Sequence, residues 1–249
     1  MLDGKVAFIT GAGTGIGKGT AALFAEEGAT VVISGRREEP LQQVAALYPD
    51  KISYVQMDLA SSLDRARALD TVIERHGRLD ILINNAAVVH VGAFADLAEQ
   101  QISELINTNL LSTALLIHRA IPLLKASKGN IVNISSASAR HVPVPNLQLS
   151  PYAAAKAGLN QLTRELAVEM GPHGVRVNAV APGFTRSEAL EHHAETNLQA
   201  IESQIAVTAL GRMGEPVDIA KAILFMASDQ AGWVTAQILD ASGGYFISS

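Results

Sequence analysis

The chain has 249 residues and no cysteine, which excludes disulfide bonds and thiolate metal sites. It is also poor in charge. Asp, Glu, Lys and Arg make up 17% of it, where an average globular protein has about 25%. Apolar side chains reach an ordinary 48%, so the low charge is no sign of disorder. Too few charges remain to surround a small monomer, which implies deeply buried elements or apolar contacts between subunits. Long hydrophobic runs are missing as well. A bilayer span needs about 18 nearly uninterrupted apolar residues, and the longest candidate, Leu110 to Ile117, ends at His118 and Arg119. Met1 to Lys5 lead straight into an apolar run, without the basic, apolar and small-residue order of a signal peptide. Positive charge is not in excess either, with 19 Lys and Arg against 24 Asp and Glu, whereas nucleic-acid binding needs a basic face. These absences predict a soluble, cytoplasmic protein with no nucleic-acid and no membrane partner.

What is present is a rhythm. Short runs rich in Val and Ile recur at Val6–Thr10, Thr30–Ser34, Ile52–Met57, Leu79–Asn84, Asn130–Ser135, Val175–Val180 and, more weakly, Gln237–Asp240. Between them lie stretches with helical spacing, among them Gly17–Glu27, Leu63–Arg75 and Tyr152–Met170, with Gly28, Gly77 and Gly171 where helices should stop. Nearly continuous apolar strands alternating with helices predict an α/β fold, a doubly wound and mostly parallel seven-stranded sheet covered on both faces. No linker, repeat or low-complexity block interrupts residues 1–249, so one domain is expected. Two segments break the rhythm: the proline-containing Ala139–Pro151 and the comparatively polar Phe184–Leu210. Both leave strands at the carboxyl edge of the sheet, where open α/β folds bind ligands, and both are expected to wall a substrate pocket.

The first strand runs into Thr10, Gly11, Ala12, Gly13, Thr14, Gly15, Ile16 and Gly17, after which a helix begins. Such a junction lets backbone approach a ligand, and the helix N-terminus offers free N–H groups to a pyrophosphate. A P-loop would need glycine in place of Ala12 and Ser or Thr in place of Gly19; G-x-G-x-x-G would need glycine in place of Ile16 or Lys18. The pattern that fits is T-G-x-x-x-G-x-G, and its place between strand and helix points to dinucleotide binding.

Tyr152 has a lysine four residues on, Lys156, and on a helix the two share a face. An ammonium beside a phenol lowers the phenol pKa, which suits acid–base catalysis near neutral pH. Alone, such a pair is more often a chance surface feature. Here the strand before it ends in Ser135 and Ser136, from which a hydroxyl could meet Tyr152 across a pocket.

With these residues together the sequence resembles the short-chain dehydrogenase/reductase family along essentially its whole length. The matching pieces are Thr10–Gly17, Asp58–Leu59, Asn84-Asn85-Ala86-Ala87, Asn109, the strand Asn130–Ser136, Tyr152-x-x-x-Lys156, Asn178, Pro182–Gly183 and the tail Thr235–Gly244. The resemblance implies an NAD(P)-dependent oxidoreductase acting on a carbonyl/alcohol pair. Tyr152 would be the general acid, Lys156 would lower its pKa and hold the nicotinamide ribose, and Ser136 would hydrogen-bond the substrate oxygen. Asn109 would position a relay water. Asp58, next to Leu59, would meet the adenine amino group, Asn85, Ala86 and Ala87 would line the cofactor, and the main chain after Pro182–Gly183, with Thr185 and Ser187, would meet the carboxamide. Ser138 remains open as an alternative to Ser136, because sixteen positions separate Ser136 from Tyr152, a few more than the family usually shows. Ala87, Ser112, Ser187 and Ala236 depart from the family pattern without removing a reacting group.

The second strand ends in Ser34-Gly35-Arg36-Arg37. Gly35 stands where an acidic residue would bind the ribose 2′-OH of NAD, and Arg36 with Arg37 suits the 2′-phosphate of NADP. NADP(H) is therefore expected, with NAD(H) as the alternative; Glu38 and Glu39 could instead balance the two arginines on a solvated loop. None of the seven histidines, His192 and His193 included, has metal-ligand spacing, so metal-free catalysis is expected. The substrate is expected to be a neutral, moderately apolar carbonyl compound, since Arg140 and Arg186 stand alone in their loops. The resemblance also implies a homotetramer, or a homodimer, packed through helices near Asn109–Lys125 and Tyr152–Met170 and through the last strand. A catalytically silent dinucleotide sensor or scaffold, and an epimerase or dehydratase of related fold, are the competing readings.

Overall fold

Seven parallel strands form one sheet in the order β3-β2-β1-β4-β5-β6-β7. They are β1 (Val6–Thr10), β2 (Thr30–Gly35), β3 (Ile52–Gln56), β4 (Ile81–Asn84), β5 (Asn130–Ile134), β6 (Arg176–Pro182) and β7 (Ile238–Ala241). The computed structural model describes residues 1–142, 147–187 and 198–245. The helices are α1 (Gly15–Glu26), α2 (Glu38–Ala45), α3 (Ser62–His76), α4 (Glu99–Ile106), α5 (Thr113–Ser127), α6 (Ser150–Met170), α7 (Leu198–Ala206) and α8 (Pro216–Ala227).

Because side chains alternate along a strand, each central strand serves two cores. Ile9, Ile33, Ile83 and Val132 turn to one face, where Phe24 of α1, Leu41 of α2 and Ile223 of α8 pack on them. Phe8, Val32, Leu82 and Ile131 turn to the other, against Val72 of α3, Leu116 and Leu124 of α5 and Leu166 of α6. Register follows the same logic, with Phe8 paired to Val32 on one side and Leu82 on the other. The doubly buried strands account for the low charge of the sequence. The chain order reverses at β1, which lies between β2 and β4, and this switch point opens a crevice at the carboxyl ends of the strands.

Most boundaries lie within two residues of the sequence expectation, and the departures have local causes. β4 starts at Ile81 instead of Leu79 because Asp80 intervenes: its carboxylate accepts the Val6 N–H at 2.9 Å, so a side chain supplies one rung of the ladder. α6 begins at Ser150, because Pro151 in the first turn needs no N–H partner there. Between α4 and α5 the residues Asn107–Ser112 form a π turn, which the sequence pattern did not announce. The continuous helix Glu99–Ser127 is, by length and composition, apolar enough to cross a membrane. Its Leu116, Ile117, Ala120 and Leu124 are instead buried against the sheet.

Candidate active site

The glycine turn after β1 is held tightly on one side and left open on the other. Gly11 and Gly15 have positive φ, 65° and 54°. A Cβ on Gly11 would sit 2.7 Å from the Ala86 Cα, and one on Gly17 would sit 2.5 Å from the Gly11 carbonyl oxygen. Around Gly15, nothing lies within 4 Å of that position. The tight side is stitched by two residues. Thr10 Oγ1 accepts the N–H groups of Asn85 and Ala86, each at 3.0 Å, while Asn85 Nδ2 donates to the carbonyls of Thr10 and Gly11. Thr10 and Gly17 thus brace the turn from behind.

The open side is a groove of about 490 Å³. It is lined by Gly11, Gly13, Thr14, Gly15 and Ile16, by Arg36 and Arg37, by Asp58 and Leu59, by Asn85, Ala86 and Ala87, and by Thr185 and Ser187. Pro182 and Gly183 do not line it; Gly183 faces a smaller cavity shared with Phe184 and Leu210. Arg36 and Arg37 are exposed, and among the described residues neither side chain has an ion pair or hydrogen bond. Glu38 accepts from the Tyr54 hydroxyl and Glu39 from Gln43, so the two glutamates do not neutralise the arginines. Asp58 already spends Oδ1 on the Ala60 N–H, and the buried Arg65 donates to the Leu59 carbonyl, which shapes this end of the groove.

Ser34, Thr108 and Arg186 are polar lining residues that the sequence did not assign to the groove. Ser34 is fully buried with an unpartnered hydroxyl, Thr108 comes from the π turn, and Arg186 stands on the far wall. Arg186 pairs with Glu215 at 3.0 Å, next to a two-residue bridge of Thr185 to Gly214 that clips the ends of the Phe184–Leu210 segment. Arg140 pairs with Asp240 on β7 at 3.5 Å. Part of both loops, together with His192 and His193, lies outside the described residues.

The acid–base candidates meet beyond β5. Ser136 caps a 3₁₀ turn, Ala137–Ala139, and accepts the Ser138 N–H at 3.2 Å. Its hydroxyl also lies 2.8 Å from Ser138 Oγ, and the serine is the side-chain neighbour that pulls the Tyr152 phenol pKa down. Tyr152 and Lys156 stand one turn apart on α6, as their spacing required. Lys156, however, does not reach the phenol oxygen. Its Nζ donates to the Ile134 carbonyl at 2.7 Å and lies 5.8 Å from the centroid of the Tyr152 ring. Burial pushes the Tyr152 phenol up to about 12, against a smaller downward pull from Ser136, and pushes the Lys156 ammonium down to about 8. The lowering expected from a lysine four residues on is therefore absent, because desolvation outweighs a charge held beneath the ring.

Asn109 is fully buried in the π turn. Its amide clamps Val88, donating to the carbonyl at 2.8 Å and accepting the N–H at 3.0 Å. The side chain is thereby committed to the strand-end loop, and any water held at this residue would have to use its main chain.

The family model described as enoyl-(acyl carrier protein) reductase matches residues 11–246. A 3-oxoacyl-[acyl-carrier-protein] reductase of Thermotoga maritima is 36% identical over 250 residues, 99% of each chain. The chain belongs to the short-chain dehydrogenase/reductase family. A 3alpha-hydroxysteroid dehydrogenase of Mediterraneibacter gnavus is likewise 36% identical, over 98% of this chain and 97% of its own. The crystal structure of a 3-ketoacyl-(acyl-carrier-protein) reductase from Brucella melitensis, complexed with NADH, superposes with a TM-score of 0.91 at 30% identity, over 99% of this chain and 100% of that one. As a short-chain dehydrogenase/reductase the protein is an oxidoreductase with a nicotinamide dinucleotide as cofactor. Its groove fits such a group on its own evidence, with an open glycine at the helix N-terminus, an orphaned Ser34 hydroxyl and two unpaired arginines at the β2 end.

Proposed function

We propose that the protein transfers a hydride between NADP(H) and a carbonyl/secondary-alcohol pair. The observation that carries this reading is the pair Tyr152 and buried Lys156, one turn apart on α6 with the ammonium 5.8 Å from the phenol ring, set beside Ser136 at the end of β5. When bound, the dinucleotide supplies or accepts the hydride at the substrate carbon. The remaining work belongs to side chains. In reduction, Tyr152, protonated at neutral pH, gives its proton to the carbonyl oxygen. Ser136 donates a hydrogen bond to that oxygen as negative charge develops on it. Lys156, largely charged at neutral pH, keeps a cation beneath the tyrosine and supports the phenolate left behind. In oxidation the same groups run in reverse, the phenolate taking the alcohol proton.

The phosphorylated cofactor is favoured by Arg36 and Arg37, whose free guanidinium groups flank Gly35 where a carboxylate would repel a 2′-phosphate. A neutral, moderately apolar substrate is supported by Arg140 and Arg186 being paired with Asp240 and Glu215. Assembly with further copies of the chain, as a tetramer or dimer, is supported by exposed Leu111 and Leu115 of the long helix, Val168 of α6 and Trp233 before β7. Light scattering in solution should give a multiple of the 26.2 kDa chain mass.

The decisive experiment follows NADPH oxidation with a panel of ketones and 3-oxoacyl thioesters, in the wild type and in Tyr152→Phe. Turnover should fall by roughly two to four orders of magnitude in the variant, with NADPH affinity nearly unchanged. Full turnover in the variant refutes the mechanism. Tight NADPH binding by a wild type that turns over no compound supports a silent sensor instead.

A further inference from the structure

Asparagine is depleted in strands, and a buried carboxamide costs free energy unless its hydrogen bonds are supplied. β5 nevertheless carries Asn133, fully buried on the face that meets α6. Its Nδ2 lies 2.9 Å from Thr163 Oγ1 of α6, and its Oδ1 lies 2.8 Å from Nδ2 of Asn84 at the end of β4. Both partners are buried as well. Proton accounting fixes the direction of this line. Thr163 Oγ1 is 2.8 Å from the Leu159 carbonyl oxygen, and two oxygens at that distance need a proton between them. The carbonyl has none, so the threonine gives the only one it has. Its oxygen can then only accept, and the Asn133 amide nitrogen must face it. The Asn133 oxygen is left facing Asn84, which donates. Asn84 Oδ1 stays without a partner among the described residues, so the fold keeps this line in spite of an unmet acceptor at its far end.

Three successive residues at the end of β5 are tied to α6. Asn133 holds Thr163, the Ile134 carbonyl accepts from Lys156 Nζ at 2.7 Å, and Ser135 Oγ donates to the Lys156 carbonyl at 3.4 Å. Lys156 and Thr163 stand seven residues apart, on one face of the helix and about 10 Å apart along its axis. Ties at Lys156 alone would leave the helix free to pivot there, because apolar packing is non-directional. A directional contact two turns further on removes that freedom. We propose that Asn133 is a positioning residue: by holding Thr163 it sets the rotation and height of α6 on β5, and so keeps the Lys156 ammonium beneath the Tyr152 ring. The inference rests on the proposed roles of Tyr152 and Lys156.

The test uses full-length protein and the variants Thr163→Val, Thr163→Ser, Asn133→Ala, Asn133→Ala/Thr163→Val, Leu166→Ala and Tyr152→Phe. With tyrosine labelled by ¹³C at Cζ, the resonance of Tyr152 is identified by its loss in Tyr152→Phe. Thr163 lies eleven residues from Tyr152, about 16 Å along the helix, so its hydroxyl affects the ring only by moving the helix. Global destabilisation changes the folded fraction and leaves the native resonance where it was. Thr163→Val and Asn133→Ala are expected to move the Tyr152 resonance, without cofactor or substrate, and Thr163→Ser to leave it in place. Leu166→Ala opens a cavity under the same helix and breaks no hydrogen bond; it should lower the urea midpoint and leave the resonance unmoved. In NADPH-dependent reduction of ethyl acetoacetate, a displaced Lys156 should lower kcat of Thr163→Val roughly 10- to 100-fold, with KM within about twofold and recovery in Thr163→Ser. The double variant should lose no more than Asn133→Ala alone. A Tyr152 resonance unmoved in Thr163→Val, or in Asn133→Ala should only that variant fold, overturns the proposal, as does an equal movement in Leu166→Ala. Full turnover in Tyr152→Phe would instead overturn the proposed mechanism, and the resonance would still decide whether Asn133 seats α6.

Discussion

The Lys156 ammonium donates to the Ile134 carbonyl at 2.7 Å and sits 5.8 Å from the centre of the Tyr152 ring, so cation and phenol meet through the ring and not through the oxygen. Both groups bear the cost of burial. The phenol is held protonated up to about 12, the form a proton donor needs, and the ammonium is weakened to about 8.

A stability consequence follows for the cofactor-free protein. Lys156 titrates near 8 in the fold and near 10.5 when unfolded. Between those values the unfolded state binds more protons, so stability rises with pH; below about 8 both states are charged and the whole burial cost is present. Tyr152 acts oppositely and later, with native protonation persisting from 10.0 to about 12 and stability falling over that range. Lys156→Met removes the buried charge and also the bond to Ile134. It is expected to be more stable than the wild type at pH 7 by on the order of 2 kcal/mol, with the advantage shrinking steadily as pH approaches 10. Urea denaturation at pH 7 and pH 9.8 measures both points. A gap of constant size across that interval contradicts the assignment of the burial cost to the ammonium.

The two arginines at the end of β2 make the cofactor preference testable by fragments. Arg36 and Arg37 have no competing acid, since Glu38 and Glu39 are engaged by Tyr54 and Gln43. In Arg36→Ala, affinity for 2′,5′-ADP should fall roughly 10- to 100-fold, the value of a charge-assisted hydrogen bond to phosphate. Affinity for 5′-ADP, which lacks the 2′-phosphate, should change less than about twofold. Isothermal titration calorimetry reads both directly. Equal losses for the two fragments would mean that Arg36 supports the groove without reading the phosphate.

Much of this arrangement was legible in the sequence, and the parts that were not share a cause. The positions of the seven strands along the chain, the two-sided cores and the one-turn spacing of Tyr152 and Lys156 follow from local pattern, because strand alternation and helix periodicity are local properties. The direction of the Lys156 side chain is not local. It depends on the Ile134 carbonyl, 22 residues earlier, and on apolar packing that only the closed fold creates. The buried hydroxyl of Ser34 reads as an ordinary strand residue until the groove forms over it. Thr108 is brought to the groove by a π turn inside an otherwise regular helix, and Arg186 by the clip between Thr185 and Gly214. Each of these belongs to tertiary geometry, where neither composition nor spacing carries a signal.

Two glycines of the same turn separate folding from binding. Gly17 is enclosed: a Cβ there meets the Gly11 oxygen at 2.5 Å, the Asn85 Nδ2 at 2.6 Å and the Ala12 Cα at 2.7 Å, and two of these atoms are backbone. Gly17→Ala must therefore displace the stitch between β1 and β4, and a loss of about 2–3 kcal/mol is expected from overpacking. Gly15 is open on the groove side, and its φ of 54° adds only the left-handed penalty, about 1–2 kcal/mol, when a methyl is introduced. Because the free space around Gly15 is the groove itself, that methyl occupies volume meant for the ligand. Thermal melts with and without saturating NADPH distinguish the two. Gly15→Ala should melt only a few degrees below the wild type without ligand and lose most of the NADPH-induced rise. Gly17→Ala should melt well below the wild type in either condition. A full NADPH-induced rise in Gly15→Ala would show that the dinucleotide does not run over this turn.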